Sequence, residues 1–220
     1  MKRIVSGIVL PLLVSMLGLC AGAQAPASNL DSQMFQAIEK GDFSTVLQLL
    51  DKGAHIDAQS EQGATALIAA TAMGKTEIVK TLLVRGANPD LKDGRGDTAL
   101  HFAVMVANVE EVKLLLDKGA AVNTQEESGR SPLMLSIVSG SPEIVKLLLD
   151  KGANTEARDT DGFTALMAAC GGGLVDVTKL LLDRGANVDA KSNDGTTALK
   201  LAVRLKRPEV EKLLRERGAH

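Results

Sequence analysis

Apolar side chains recur along the chain at the spacing of an amphipathic helix. Val79, Leu82 and Leu83 stand at positions i, i+3 and i+4, which places them on one face of a helix. A shorter, small and apolar segment that includes Leu67 and Ala70 precedes them. The pattern therefore predicts a small apolar helix followed by an amphipathic one. An acidic residue stands near the start of the second helix in each copy of the pattern: Glu77, Glu110, Glu143, Asp176 and Glu209.

The whole pattern repeats every 33 residues. One marker is a Gly-Ala pair. The second is a five-residue motif: glycine, any residue, threonine or serine, and then Ala-Leu or Pro-Leu. Two independent markers with one period indicate a repeated structural unit. The Gly-Ala pairs begin at Gly53, Gly86, Gly119, Gly152, Gly185 and Gly218, and the second marker begins at Gly63, Gly96, Gly129, Gly162 and Gly195.

Each marker suits a particular place in a helix pair. Thr65 and its equivalents suit the N-cap of the first helix, because the hydroxyl accepts a hydrogen bond from a free backbone N–H, and Pro132 suits the first helical position. Gly86 and its equivalents suit the left-handed residue that follows a helix. The segment after each Gly-Ala pair, such as residues 187–195, is short, polar and rich in turn residues. It predicts an extended hairpin finger.

These markers resemble the ankyrin repeat over residues 30–220. The resemblance implies an all-α solenoid, in which two antiparallel helices and a β-hairpin or loop finger recur with a period of 33 residues. In the family, a histidine in the box after the loop glycine hydrogen-bonds to the box threonine. Here that histidine is present only as His101. Other residues replace it in the remaining repeats: Ile68, Met134, Met167 and Lys200.

The period divides the repeat domain into capping units and full repeats. An N-terminal capping unit is expected at residues 30–60 and a shortened C-terminal cap at 193–220. The cap presents basic residues where a repeat has leucine, as at Arg215. The four full repeats are expected at residues 61–93, 94–126, 127–159 and 160–192.

The N-terminus has the pattern of a secretory signal peptide. Lys2 and Arg3 precede an apolar run that ends at Leu19, and a small-x-small site follows at residues 21–23. We expect residues 1–23 to be cleaved, residues 24–29 to be a linker, and the mature protein to be periplasmic or secreted. A retained membrane anchor is the main alternative. A lipoprotein anchored at Cys20 is disfavoured, because a bulky leucine stands before the cysteine.

Composition and charge narrow the classes of function. The chain has a net charge of −2, a pI near 6.0 and 2% aromatic residues, which disfavours nucleic-acid binding. Without Lys2 and Arg3 it has 23 basic and 27 acidic residues. Cys170 is then its only thiol, so no disulfide within the chain is expected, and the residue is interpreted as a small buried hydrophobe.

Short motifs for cofactors and catalysis are interpreted as coincidental. Residues 94–99 fit a dinucleotide-binding glycine pattern, but a polar finger precedes them in place of a buried strand. Residues 95–97 read Arg-Gly-Asp, yet Gly96 is the structural glycine of the repeat. The three histidines, His55, His101 and His220, lie in different units and are expected at surface or loop positions. No cofactor, metal or catalytic site is expected.

A cation stands just before each helix-ending glycine, as Arg85 does before Gly86. There it complements the helix dipole, and the alternative is a basic stripe for an acidic partner.

The leading functional hypothesis is a monomeric, non-catalytic scaffold for another protein. A concave surface of fingers and first helices would bind the partner, without nucleic acid and without a membrane after signal cleavage. The alternative is a structural spacer or an accessory or regulatory subunit of an envelope enzyme. The candidate contact residues are Met73, Arg95, Asp97, Met105, Val106, Arg130, Val138, Asp161, Phe163 and Arg204.

Phe163 is the first choice among them, because it follows the loop glycine where the other copies have smaller or polar residues. We expect its ring to project from a finger, above a shallow pocket left by Gly171 and Gly172. Alternatively, the ring folds back on its own hairpin.

Overall fold

The computed structural model describes residues 29–220, so the predicted signal peptide at 1–23 and most of the linker lie outside it. The described chain forms twelve helices in six pairs. In chain order these are α1 Asn29–Lys40, α2 Phe43–Asp51, α3 Ala66–Ala72, α4 Thr76–Val84, α5 Ala99–Met105, α6 Val109–Asp117, α7 Pro132–Ser139, α8 Pro142–Asp150, α9 Ala165–Gly172, α10 Val175–Asp183, α11 Ala198–Arg204 and α12 Pro208–Glu216.

The helix ends follow the sequence markers. The hydroxyl of Thr65 caps α3 by accepting from the N–H of Ile68 at 3.2 Å, and Pro132 is the first residue of α7. Gly86, after α4, has a φ of +91° and open space where a Cβ would lie. The predictions for the caps and for the left-handed glycine are therefore confirmed.

The fingers are built from turns more than from strands. Within residues 29–220 the only β-bridge outside helices joins Gln59 and Thr65. Each finger is closed instead by a backbone hydrogen bond over four residues, such as the bond from the N–H of Asp93 to the carbonyl oxygen of Asp97 at 2.9 Å. The predicted hairpin is thus a short hydrogen-bonded loop.

The chain divides into two compact units, which meet in sequence between Ala121 and Val122. In unit 1, α3 packs against α1 and α5, and α4 packs against α6. In unit 2, α9 packs between α7 and α11, and α10 packs against α12. Each unit has its own apolar core. Its largest buried residues include Met34, Ile38, Leu67, Leu82, Leu100 and Leu115 in unit 1, and Leu133, Ile144, Leu148, Leu166 and Met167 in unit 2.

The N-terminal capping unit and the C-terminal cap each contain a complete helix pair. In the N-terminal capping unit, the buried carboxylate of Asp31 accepts a hydrogen bond from the N–H of His55 at 2.8 Å, which ties the start of α1 to the finger. In the C-terminal cap, the helix pair is formed by α11 and α12. Val203 on α11 is 49% exposed, whereas its equivalents Val104 and Cys170 are buried.

Candidate partner-binding surface

The ten candidate residues occupy two kinds of position. One group lies in the fingers, and the other lies at the C-terminal ends of first helices. Arg95, Asp97, Met73, Met105 and Val106 belong to unit 1, and Arg130, Val138, Asp161, Phe163 and Arg204 belong to unit 2.

The unit 1 finger keeps Asp97 for its own structure. Asp97 is only 6% exposed, and its N–H donates to Oδ1 of Asp93 at 2.9 Å. Its Oδ2 lies 3.6 Å from the guanidinium of Arg95. Asp97, a candidate contact residue, therefore exposes little surface, and its carboxylate is engaged within the finger. For the same reason, the Arg-Gly-Asp tripeptide does not present its carboxylate at a tip.

Arg130 is partly engaged in the same way. Its Nε donates to Oε1 of the buried Glu126 at 3.0 Å. Burial opposes ionisation of Glu126, but hydrogen bonds from Ser128 and Arg130, together with the charge of Arg130, hold the pKa of this carboxyl below its ordinary value. Arg130 nevertheless keeps 45% of its side chain exposed.

Phe163 lies half-buried in its finger. Its N–H donates to Oδ1 of Asp159 at 2.8 Å, and its carbonyl oxygen accepts the N–H of the same residue at 3.1 Å. Among the equivalents, Ala64, Asp97 and Thr196 are buried and Arg130 is exposed, so Phe163 is intermediate between them. The prediction of a freely projecting ring is not what the structure shows.

The region around Gly171 and Gly172 has neighbours that the sequence did not reveal. The Cδ1 atom of Leu205 lies 3.6 Å from the place a Cβ on Gly171 would occupy. The Nε of Arg207 donates to the carbonyl oxygen of Gly171 at 3.2 Å. The two glycines are therefore bordered by the end of the next first helix.

The first-helix ends carry most of the exposed apolar surface among the candidates. Val138, near the end of α7, is 73% exposed. Met73, Met105 and Val106, at the corresponding ends in unit 1, are half-buried, and Arg204 is exposed. The first-helix ends of each unit therefore carry apolar side chains, and in unit 2 a basic side chain as well.

Sequence reasoning missed the side chains that close the fingers. In each of these fingers, the residue three positions before the loop glycine accepts a hydrogen bond through its side-chain oxygen. The donor is the backbone N–H of the residue that directly follows that glycine. The signal was a residue with a side-chain oxygen at one place in every repeat: Ser60, Asp93, Glu126, Asp159 and Ser192.

It also missed ion pairs between neighbouring second helices. Arg85 lies 2.8 Å from Asp51, and Arg217 lies 2.7 Å from Asp183. Arg184 and Asp150 form a third such pair at 2.8 Å. These arginines were expected to complement a helix dipole or, alternatively, to form a basic stripe for an acidic partner. The signal was an aspartate 34 residues before each of them.

Glu111 is a further residue whose role the sequence did not reveal. It is buried on α6, and its Oε1 accepts the hydroxyl of Thr76 at 2.8 Å. Its Oε2 is buried without a hydrogen-bond partner in the described chain. Burial raises the pKa of Glu111 to about 7, opposed by the Thr76 hydrogen bond and assisted by the charge of Glu110. In four of the other five helix pairs the equivalent residue is apolar, and in the first pair it is Thr45; the four are Ile78, Ile144, Val177 and Val210.

His101 lies in the interior of the protein and contacts the box threonine Thr98. The prediction of a surface or loop position is wrong for this residue, because it is fully buried on α5. Its Nδ1 accepts the N–H of Thr98 at 3.1 Å and lies 2.9 Å from the Thr98 hydroxyl. The threonine contact implied by the family resemblance is therefore present.

Cys170 is a buried hydrophobe, as predicted. Burial raises the pKa of its thiol to about 11, and its sulfur lies 3.8 Å from the hydroxyl of Thr178. The thiol is therefore protonated at neutral pH, and a protonated thiol is a poor nucleophile.

The remaining two features are clusters of metal-binding side chains and helices that could span a membrane. In residues 29–220, no three side chains of His, Cys, Asp or Glu are grouped so that they would hold a metal ion. In the same range, no helix has the length and hydropathy needed to span a membrane.

Stacked helix pairs joined by short fingers define the chain as a helical repeat protein. Family models of ankyrin repeats match residues 72–159 and 153–220, in a form with three copies, and residues 34–83, in a form with many copies. The chain therefore belongs to the ankyrin-repeat family. No curated protein shows a significant match. Ankyrin repeats are generally protein–protein interaction modules and typically act as non-catalytic scaffolds.

Proposed function

We propose that this protein is a monomeric, non-catalytic scaffold that binds a partner protein through its fingers and the ends of its first helices. The observation that supports this most strongly is the exposure of Val138, because burying an aliphatic side chain of this kind would stabilise a complex. The half-buried Met105, Val106 and Phe163 would contribute further apolar contacts. A structural spacer, or an accessory subunit of an envelope enzyme, is the alternative.

The experiment compares two exposed valines. Val138 lies near the end of a first helix, and Val84, which is 67% exposed, ends a second helix. The purified protein is immobilised and used to retain a partner from an extract of its source. Val138→Glu places a carboxylate in the proposed interface and is expected to weaken retention by about tenfold or more.

Val84→Glu is the matched control, because it makes the same substitution at a similarly exposed valine outside the proposed surface. It is expected to leave retention unchanged. Equal losses in the two variants would argue against this surface, and the absence of any stoichiometric partner would favour the spacer.

We also propose that the protein is exported and begins at Gln24 after cleavage. The basic start, the apolar run and the small residues at 21–23 support this proposal. Intact-mass measurement of the protein from its source would give the mature N-terminus. A chain that begins at Met1 would indicate a retained anchor, and a lipid on Cys20 would indicate a lipoprotein.

A further inference from the structure

The C-terminal end of α11 and the turn after it expose alternating aliphatic and basic side chains. Val203 is 49% exposed and Leu205 is 45% exposed, and Arg204, Lys206 and Arg207 are also exposed. We name residues 203–207, together with Gly171 and Gly172 of the neighbouring α9, the α9–α11 patch. All of these residues belong to unit 2.

The basic side chains of this patch have no acidic partner at salt-bridge distance within the described chain. The basic residues of α12 and the turn after it differ. Arg215 pairs with Glu211 at 3.0 Å, and Arg217 pairs with Asp183 at 2.7 Å. Arg204 does lower the pKa of Asp194, but hydrogen bonds from Ser192 and Thr196 are the larger causes and already occupy that carboxylate.

The charge of the patch is opposite to that of the rest of the protein. Residues 203–207 contain three basic residues and no acidic one. The remainder of the chain from residue 24 contains 20 basic and 27 acidic residues. An acidic segment would therefore be attracted to this patch and repelled by most of the other surface, which would orient it.

Two glycines in the last turn of α9 leave the floor of the patch without side chains. Glycine weakens a helix interior relative to alanine. At Gly171, a Cβ would meet only Leu205, at an ordinary contact distance of 3.6 Å. The equivalent residues are all larger: Ala72, Met105, Val138 and Arg204. Packing within the fold therefore does not require glycine at position 171.

We propose that the α9–α11 patch binds an acidic segment of the partner protein. An aliphatic side chain of that segment lies over Gly171 against Leu205 and Val203. Its carboxylates pair with Arg204, Lys206 and Arg207. This inference rests on the proposed scaffold function and adds to it the chemistry of the bound segment.

The test uses a random peptide library displayed on phage, selected against the purified protein. The enriched peptides are expected to be acidic and to contain a leucine, isoleucine, valine or methionine. One enriched peptide is synthesised with a fluorescent label, and its affinity is measured by fluorescence anisotropy. Enrichment of basic or neutral peptides, or no enrichment, would overturn the proposal.

Two variants test the position of the site. Gly171→Ala fills the floor with one methyl group and is expected to weaken peptide binding by about tenfold. The same change is expected to leave the melting temperature unchanged or to raise it, because alanine favours the helix. Lower affinity with equal or higher stability separates recognition from folding.

The second variant, Arg204→Glu with Lys206→Glu, is expected to weaken binding by about tenfold or more, and this loss is expected to shrink at high salt. Its control, Lys146→Glu with Lys179→Glu, makes the same change in net charge at exposed positions on the second helices α8 and α10. Equal effects in the two variants would indicate a general charge effect and overturn the proposal.

Anionic phospholipid vesicles are the last probe. If the patch bound such vesicles and not acidic peptides, it would be a membrane-contact site, and the proposal would be wrong. Failure at this patch would leave the scaffold function standing if partner retention still depended on Val138. Retention that neither valine variant weakens would count against the surface that includes Val138, and the absence of any retained partner would count against the scaffold function itself.

Discussion

Single side chains at equivalent positions of this repeat protein have very different surroundings. Glu111 stands where four other repeats have isoleucine or valine, and it is buried with one carboxylate oxygen unsatisfied. An ionised carboxylate is costly in such a place, so the folded protein favours the protonated form. The pKa of Glu111 is accordingly raised to about 7.

This position makes stability depend on pH. The folded state holds the proton of Glu111 more tightly than the unfolded chain does. The stabilising effect of the proton is therefore complete below the ordinary value of 4.5 and is lost as the pH rises to about 7. We predict that Glu111→Ile removes this loss and stabilises unit 1 by on the order of 3 kcal/mol at pH 8. Urea unfolding at several pH values measures it.

Glu110→Gln is the control for this prediction, because it removes the adjacent carboxylate from an exposed site. It is expected to leave nearly the same fall in stability with pH. The prediction would be contradicted if the free energy of unfolding changed equally between pH 5 and pH 8 in the wild-type protein and in Glu111→Ile.

At the scale of the element, the turn within each helix pair requires one residue with positive φ. Most pairs have glycine there, as at Gly74 and Gly140, but Ala107 and Lys206 adopt the same conformation with φ of +56° and +54°. A side chain in this region carries a steric cost that glycine does not. The turn after α5 is therefore less favourable than its equivalents.

We predict that Ala107→Gly stabilises the protein by about 1 kcal/mol, which corresponds to a rise of about 2–4 °C in melting temperature. Ala107 is exposed, so the change removes little packing. Gly74→Ala is the reverse experiment, because Gly74 has a φ of +63° and open space where a Cβ would lie. It should lower the melting temperature by a similar amount, and a rise there would refute the argument.

At the scale of the whole molecule, stability depends on each helix pair being covered by its neighbours. In unit 2, α11 and α12 cover the apolar faces of α9 and α10. In a repeat protein, the interfaces between neighbouring repeats contribute approximately additively to the free energy of unfolding. The terminal capping repeat covers the apolar face of the repeat before it. Internal and terminal repeats are therefore not equivalent.

We predict that deletion of residues 160–192 leaves a shorter, folded and monomeric protein. Deletion of residues 193–220 should instead expose the faces of α9 and α10 and cause aggregation. Light scattering and urea unfolding measure the two outcomes, and the internal deletion should also lower the unfolding m-value because less surface is buried. An unfolded internal deletion beside a monomeric terminal deletion would contradict this view of the fold.

The periodicity of the sequence was sufficient to predict the helix pairs and their caps, and the resemblance of its markers to the ankyrin repeat indicated the family. Thr65, Pro132 and Gly86 act through bonds and dihedral angles within a few residues, so their roles are readable from local sequence. The surroundings of other residues depend on contacts distant in sequence. Asp97 and His101 are buried and Phe163 is half-buried because of how each finger and helix folds, which no spacing rule shows.

The same distinction applies to the proposed partner surface. The sequence predicted that first-helix ends and fingers form this surface, and Val138 and Arg204 were among the predicted residues. Only the tertiary structure placed Leu205 beside Gly171 and left the basic residues of the α9–α11 patch with no carboxylate at salt-bridge distance among residues 29–220. Exposure and ion pairing depend on whether a neighbouring helix covers a side chain, and that contact spans about one repeat length of sequence. Local patterns therefore determined the fold, whereas packing between repeats decided which side chains remain available for binding.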